Sequence, residues 1–148
     1  MLVFRICLEK WSHELRASGH AARWNSEGVY LIYTAGSRAL ACLENLVHRS
    51  GEGNHGLFRT LEIVVPASVS CYELPKKSLS AQWHETVNYP LCRSFGDEWI
   101  RSGRSCIMKV PSALIPEEFN YLINPQHKDF KRIKIKNVHT FLFDGRFF

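Results

Sequence analysis

The sequence predicts an α+β fold, a compact mixed β-sheet with flanking helices, in a single domain over residues 1–148. Three observations carry this. Runs of β-branched and aromatic residues outnumber amphipathic helical ones, they do not alternate regularly with helices as in a doubly wound fold, and no repeat, low-complexity tract or long linker divides the chain. A chain of 148 residues is long enough to bury a substantial core.

"LVFRICL" reads as the first strand, followed by a polar, helical or irregular stretch to about Gly19. "GVYLIYT", introduced by Gly28, reads as a buried strand that Gly36 breaks. Ser37 is a good N-cap for a helix expected to run to about Arg49, and "SGEGNHG" is a loop by composition. "LFRTLEIVVP" is a further strand stopped by Pro66. Residues 67–94 read as short helices and loops with Trp83 as a core anchor, and "FGDEWIRSG" as a helical turn. "SCIMKVPS" is a strand ending at Pro111, and "ALIPEEFNYLINPQH" a connection rich in Pro and Asn. "FKRIKIKNV" is a half-exposed strand with Ile133 and Ile135 inward, and "HTFLFD" closes the sheet.

Composition narrows the function. The net charge of +5 favours anionic partners, whether nucleic acid, a phosphorylated small molecule or an acidic protein. Cys7, Cys42, Cys71, Cys92 and Cys106 are odd in number and scattered, which reads as plain buried or semi-buried thiols. The histidines form no metal-binding spacing, so no metal is expected. No apolar run approaches the roughly 18 residues of a membrane helix, and the N-terminal run is short and broken by Arg5. A cytoplasmic protein without membrane association is expected.

Chemistry concentrates in "ARWNSEGVYLIYTAGSRALACLENLVH", residues 22–48. On a helical wheel of about 100° per residue, Ala39, Leu40, Leu43, Leu46 and Val47 form an apolar arc. Glu44 lies at its border, partly desolvated yet able to face a cleft. An arginine (Arg23), an aromatic (Tyr33) and one carboxylate (Glu44) are the parts of a nucleotide-glycoside site. Taken alone, the same residues allow a boundary glutamate, an arginine paired with a surface acid, and Trp24 and Tyr33 as core. Lys128, Lys131, Arg132, Lys134 and Lys136 in "KDFKRIKIKN" allow a nucleic-acid or ribonuclease-type reading, or simply an exposed strand face protected by lysines.

The run "ARWNSEGVYLIYTAGSRALACLE" resembles the signature of the RES-domain family, named for its arginine, glutamate and serine. The resemblance continues through "SFGDEWIRSGRSCIMKVPSALIPEEFNYLINPQHKDF" to "FDGRF". It implies an ADP-ribosyltransferase-like fold and the toxin of a bacterial type II toxin–antitoxin pair that degrades NAD⁺ at the nicotinamide–ribose bond. Glu44, Arg23 and Ser112 are then the catalytic residues, with Ser105 and Ser102 as alternative serines. Arg23, Tyr33, Asn120 and Asn124 are the substrate-binding residues. No cofactor is expected beyond NAD⁺ as substrate, with inorganic phosphate as a candidate co-substrate; water or a protein side chain are the other acceptors. The implied partners are a helix-turn-helix antitoxin that blocks the active site, through which alone nucleic acid is met, and a second copy of the toxin. Ala21-Ala22 replaces the family's glycine pair before the arginine, and Gly145 its proline after Asp144.

Overall fold

The computed structural model describes residues 1–48 and 57–147; the expected helix end at Arg49 and the loop over 50–56 lie outside the described residues. Seven strands form one sheet: β1 (Leu2–Leu8), β2 (Ile32–Ala35), β3 (Phe58–Val64), β4 (Cys71–Glu73), β5 (Ile107–Pro111), β6 (Phe119–Ile123) and β7 (Lys134–Phe141). Their order is β4-β5-β6-β2-β1-β3-β7. Every pairing is antiparallel except β4 with β5. The helices are α1 (Arg38–His48) and α2 (Tyr89–Ser102). This is the α+β architecture the strand-rich pattern predicts.

Alternation along the strands sends one set of side chains to each face. Val3, Cys7, Ile32, Leu61, Ile63, Ile107 and Ile123 share one cluster. Across the sheet, α1 covers Ile6, Ala35 and Phe58 through Leu40 and Ala41, while α2 covers Met108, Val110 and Leu122 through Cys92 and Trp99. The five cysteines are free thiols, but Cys71 is exposed where a buried or semi-buried thiol was expected. Among the described residues, no helix is long and apolar enough to cross a membrane, and no group of side chains could hold a metal ion.

Five elements differ from the sequence expectation. The strand in "GVYLIYT" starts only at Ile32: Gly28 adopts φ 80°, Val29 N–H closes a turn on Ser26 O (3.1 Å), and the ladder with β6 begins at Ile32–Ile123. The single turn expected at "FGDEWIRSG" is the end of a 14-residue helix, which starts with Pro in its first turn and buries Cys92, Gly96 and Trp99 along one row. The Pro- and Asn-rich connection contains β6, an interior strand, because Pro116 and Pro125 punctuate its ends and leave its ladder intact. "IKIKNV" and "HTFLF" form one strand, β7, rather than two. The short β4 also falls within a stretch read as helices and loops.

The feature that positions the site is the join between the sheet's two halves. β1 pairs with β3 over all seven residues but with β2 only at Phe4–Ala35. The sheet therefore opens between β1 and β2, and α1 lies across the opening.

Candidate active site

A cavity of about 230 Å³ occupies this opening. Phe4, Arg5 and Ile6 form its β1 wall, Tyr33, Thr34 and Ala35 its β2 wall, and Ala22 and Asn120 extend it. Ala41, Glu44, Asn45 and His48 face it from α1. Ser37 caps that helix, its Oγ accepting from Leu40 N–H (3.1 Å) and donating to Glu118 (2.6 Å). The helix is rotated relative to the apolar wheel: Ala39 and Val47 are exposed, while Ala41, Glu44 and Asn45 turn inward. Glu44 thus stands in the middle of the facing side rather than at its border.

Its carboxylate is held on both oxygens. Oε1 accepts from Asn120 Nδ2 (2.6 Å) and Ser112 Oγ (3.3 Å), and Oε2 lies 3.6 Å from His48 Nε2, one turn on. Burial pushes the Glu44 carboxyl up. The hydrogen bonds from His48, Asn120 and Ser112 and the His48 charge together outweigh that and hold it below the usual carboxylate range. Glu44 is thus an ionised, oriented carboxylate with a quarter of its side chain (24%) still open.

Of the three candidate serines, the structure brings only Ser112 to Glu44. Its Oγ is fully engaged, accepting from the Leu114 and Ile115 N–H groups (3.0 and 3.1 Å) while donating to the carboxylate. Ser112 therefore positions Glu44; it has no lone pair or proton to spare for a ligand. Ser105 is tied to Trp99 Nε1 and Ile107 O, and Ser102 to Trp99 O, so both serve the α2–β5 junction. Asn120 is in the site, but Asn124 is not: it sits past the end of β6, where its Oδ1 caps the Gln126 N–H (2.9 Å). Four residues along a strand separate the two by roughly 13 Å.

Tyr33 lines the cavity with its ring, and its hydroxyl is spent on the preceding turn. It donates to Asn25 Oδ1 (2.7 Å) and accepts from Trp24 N–H (3.0 Å), and burial pushes its pKa well up. The turn is clamped from the other side by α2, through Arg93 Nε to Ala22 O (2.7 Å) and Asp97 to Ser26 N–H and Oγ. Gly96 permits that approach, since a Cβ there would lie 1.7 Å from Trp24 O. Arg23 is not among the residues that line the cavity. Its guanidinium sits over Tyr89 (4.5 Å) and Trp83 (5.7 Å) and donates to Trp83 O (3.3 Å). Trp83, expected as a core anchor, is half-buried against Trp24 and forms part of this stack.

Arg5, Asn45 and His48 line the cavity and were missed as site residues. His48 was legible as the residue four on from Glu44, and Arg5 as the one charge inside an apolar strand; nothing singled out Asn45. Asn45 Nδ2 donates to Ile6 O (3.0 Å), yet its Oδ1, like that of Asn120, is buried without a hydrogen-bond partner. Two buried acceptors beside a carboxylate suit a ligand bearing hydroxyl or amide hydrogens.

An α+β domain whose sheet opens over one ionised glutamate is the class these features define. Within that class the chain belongs to the RES-domain family, whose model matches residues 2–144. It is 41% identical over 126 residues to the Prs ADP-ribosylating toxin of Sphingobium sp. (strain YBL2), covering 84% of this chain and 78% of that protein. It is 31% identical over 152 residues to Toxin Res of Yersinia enterocolitica serotype O:8, covering 99% of both. A fold likeness extends to a chain of the Mycobacterium tuberculosis MbcT–MbcA toxin–antitoxin complex, with a TM-score of 0.74, 16% identity, and coverage of 95% of this chain and 84% of that one.

Proposed function

We propose that this protein is the toxin of a toxin–antitoxin pair and that it cleaves the nicotinamide–ribose bond of NAD⁺ at Glu44. The observation that carries the reading is a single carboxylate kept ionised by three side chains, in a cavity where two buried amide oxygens, Asn45 Oδ1 and Asn120 Oδ1, have no hydrogen-bond partner. Ordinary glycosidases need a second carboxyl group to protonate the leaving oxygen. Nicotinamide leaves NAD⁺ as a neutral molecule, taking the electron pair of the broken C–N bond, so no acid is needed. The ribosyl cation that develops is opposed by Glu44, and its hydroxyls meet Glu44, Asn45 Oδ1 and Asn120 Oδ1. An incoming oxygen then bonds to the same carbon and releases its proton. Water gives ADP-ribose; inorganic phosphate gives ADP-ribose-1″-phosphate.

The cavity is smaller than the roughly 300–1,000 Å³ of pockets that engulf a drug-sized ligand. It suits the nicotinamide-ribose half of a dinucleotide, with the rest passing outward beyond Ala22 towards Arg23. The relative named an ADP-ribosylating toxin favours a second reading, transfer of the ADP-ribosyl group to a protein side chain. Chromatography after incubation with NAD⁺, with and without phosphate, tests both. Release of nicotinamide with either small product supports the proposal, consumption only when a protein acceptor is added supports transfer, and unchanged NAD⁺ throughout refutes both. The antitoxin, in this reading, blocks the Glu44 cavity, and a tight complex that still consumes NAD⁺ freely would count against that.

A further inference from the structure

Where β2 has left β1, the Asn45 amide closes the gap: its Nδ2 donates to Ile6 O at 3.0 Å. That bond fixes which way the amide points, since a flipped amide would set oxygen against oxygen. Asn45 Oδ1 is therefore an acceptor of settled position. It is buried, belongs to a residue of the cavity lining, and has no hydrogen-bond partner among the described residues. A buried acceptor left unpaired is costly, and a donor brought from outside removes the cost.

A ribose brings two hydroxyl hydrogens to three acceptors, Glu44 Oε2, Asn120 Oδ1 and Asn45 Oδ1. Glu44 and Asn120 are joined by the bond from Asn120 Nδ2 to Glu44 Oε1 (2.6 Å), so their acceptors lie side by side and suit a vicinal diol. Asn45 stands apart from them. Asn120 belongs to β6 and Ile6 to β1, with β2 between, which sets those backbones roughly 10 Å apart at ordinary strand spacing. The lining beside Asn45 is apolar, made by Phe4, Ile6 and Ala41, and it suits a flat ring whose edge carries N–H groups.

We infer that Asn45 is a specificity-determining residue: its Oδ1 accepts an N–H of the nicotinamide carboxamide, so the cavity selects a pyridinium dinucleotide that carries a carboxamide over one whose ring bears no N–H group. The assignment deepens the reading of the cavity as an NAD⁺ site and rests on it. A ketone in the same place leaves Asn45 Oδ1 buried and unpaired, and a carboxylate adds repulsion from Glu44. Ligand selection then lies in a residue that performs no part of the bond cleavage.

The acetylpyridine analogue of NAD⁺, in which a methyl ketone replaces the carboxamide, removes the N–H groups while keeping the ring and its charge. Release of the free pyridine base from NAD⁺ and from the analogue gives kcat/KM for each with wild-type and Asn45→Leu protein. Calorimetric titration of both dinucleotides into Glu44→Gln protein, with and without Asn45→Leu, gives binding without turnover. Wild type should prefer NAD⁺ about ten- to a hundredfold, and Asn45→Leu should bring the two within about threefold. Loss of the bond to Ile6 O alone would weaken both ligands alike and leave their ratio in place. A preference that Asn45→Leu leaves unchanged, or a wild type that takes both equally, overturns the inference. Should Asn45→Leu fail to fold, Asn45→Ala, which leaves room for a water on Ile6 O, is read by the same ratio. Wild-type protein that leaves both dinucleotides intact, while its Glu44→Gln form binds NAD⁺ in preference to the analogue through Asn45, refutes the catalytic reading alone; binding of neither refutes both.

Discussion

Glu44→Gln removes one negative charge from the cavity while keeping the side chain's shape. The amide oxygen can take the place of Oε1, accepting from Asn120 and Ser112, and its NH₂ then faces the His48 ring. The fold should therefore survive. What is lost is attraction for the ribosyl cation. At about 4 Å and an effective dielectric of about 20, suited to a partly open site, that attraction is on the order of 4 kcal/mol. Single preorganised catalytic groups contribute a similar amount, so kcat should fall roughly 10²–10³-fold. NAD⁺ affinity should change little, because the cation exists only near the transition state. Steady-state nicotinamide release and a thermal melt on the purified variant measure both. Full turnover, or simple unfolding, would refute the assignment of Glu44 as the charge that drives cleavage. The pH dependence follows in sign. The folded pKa of Glu44 is lowered from 4.5, so its charge and the stability it adds are present above the unfolded value and are lost as pH falls through the lower folded one. Activity limited by Glu44 should thus hold from neutral pH down to the usual carboxylate range and fall only below it.

Three further outcomes are expected. Ser112→Ala strips a donor from Glu44 and the acceptor from two backbone N–H groups at a site only 1% exposed, and should cost about 1–3 kcal/mol in a denaturant melt. It should lower kcat less than Glu44→Gln does, with KM little changed; a variant with wild-type stability would contradict the hydrogen-bond assignment. Gly96→Ala drives a methyl group into Trp24 O and should destabilise by about 1–3 kcal/mol or more as α2 lifts from the Arg-Trp-Asn turn, which a drop in Tm and in near-ultraviolet tryptophan signal would register. Tyr33 should stay un-ionised at pH 10, where an exposed tyrosine is half titrated, so Tyr33→Phe should leave the ultraviolet titration near that pH nearly unchanged; a lost titrating group there would show that the hydroxyl is open to solvent.

Local signals in the sequence determined the elements whose cues lie within a few residues. Ser37 marks the start of α1, the apolar run after Met1 gives β1, and Pro66 and Pro111 bound β3 and β5 closely enough to place Glu44 on a helix and Tyr33 on a strand. The order of motifs in residues 22–44 and 94–130 identifies the family because such runs are long and specific. Tertiary structure alone decided which side of α1 faces the sheet: a wheel weighs only hydrophobicity, whereas the helix is rotated to hand Glu44 to Asn120 and Ser112, which come from 76 and 68 residues away. It also sorted the asparagines, since Asn120 and Asn124 are alike as polar residues near one strand but differ in whether the ladder or a turn receives them. Arg5 was counted only as an interruption in an apolar run. Its place on the cavity wall depends on β1 and β2 pairing at one residue and then parting, a property of two strands with more than twenty residues between them that neither segment encodes by itself.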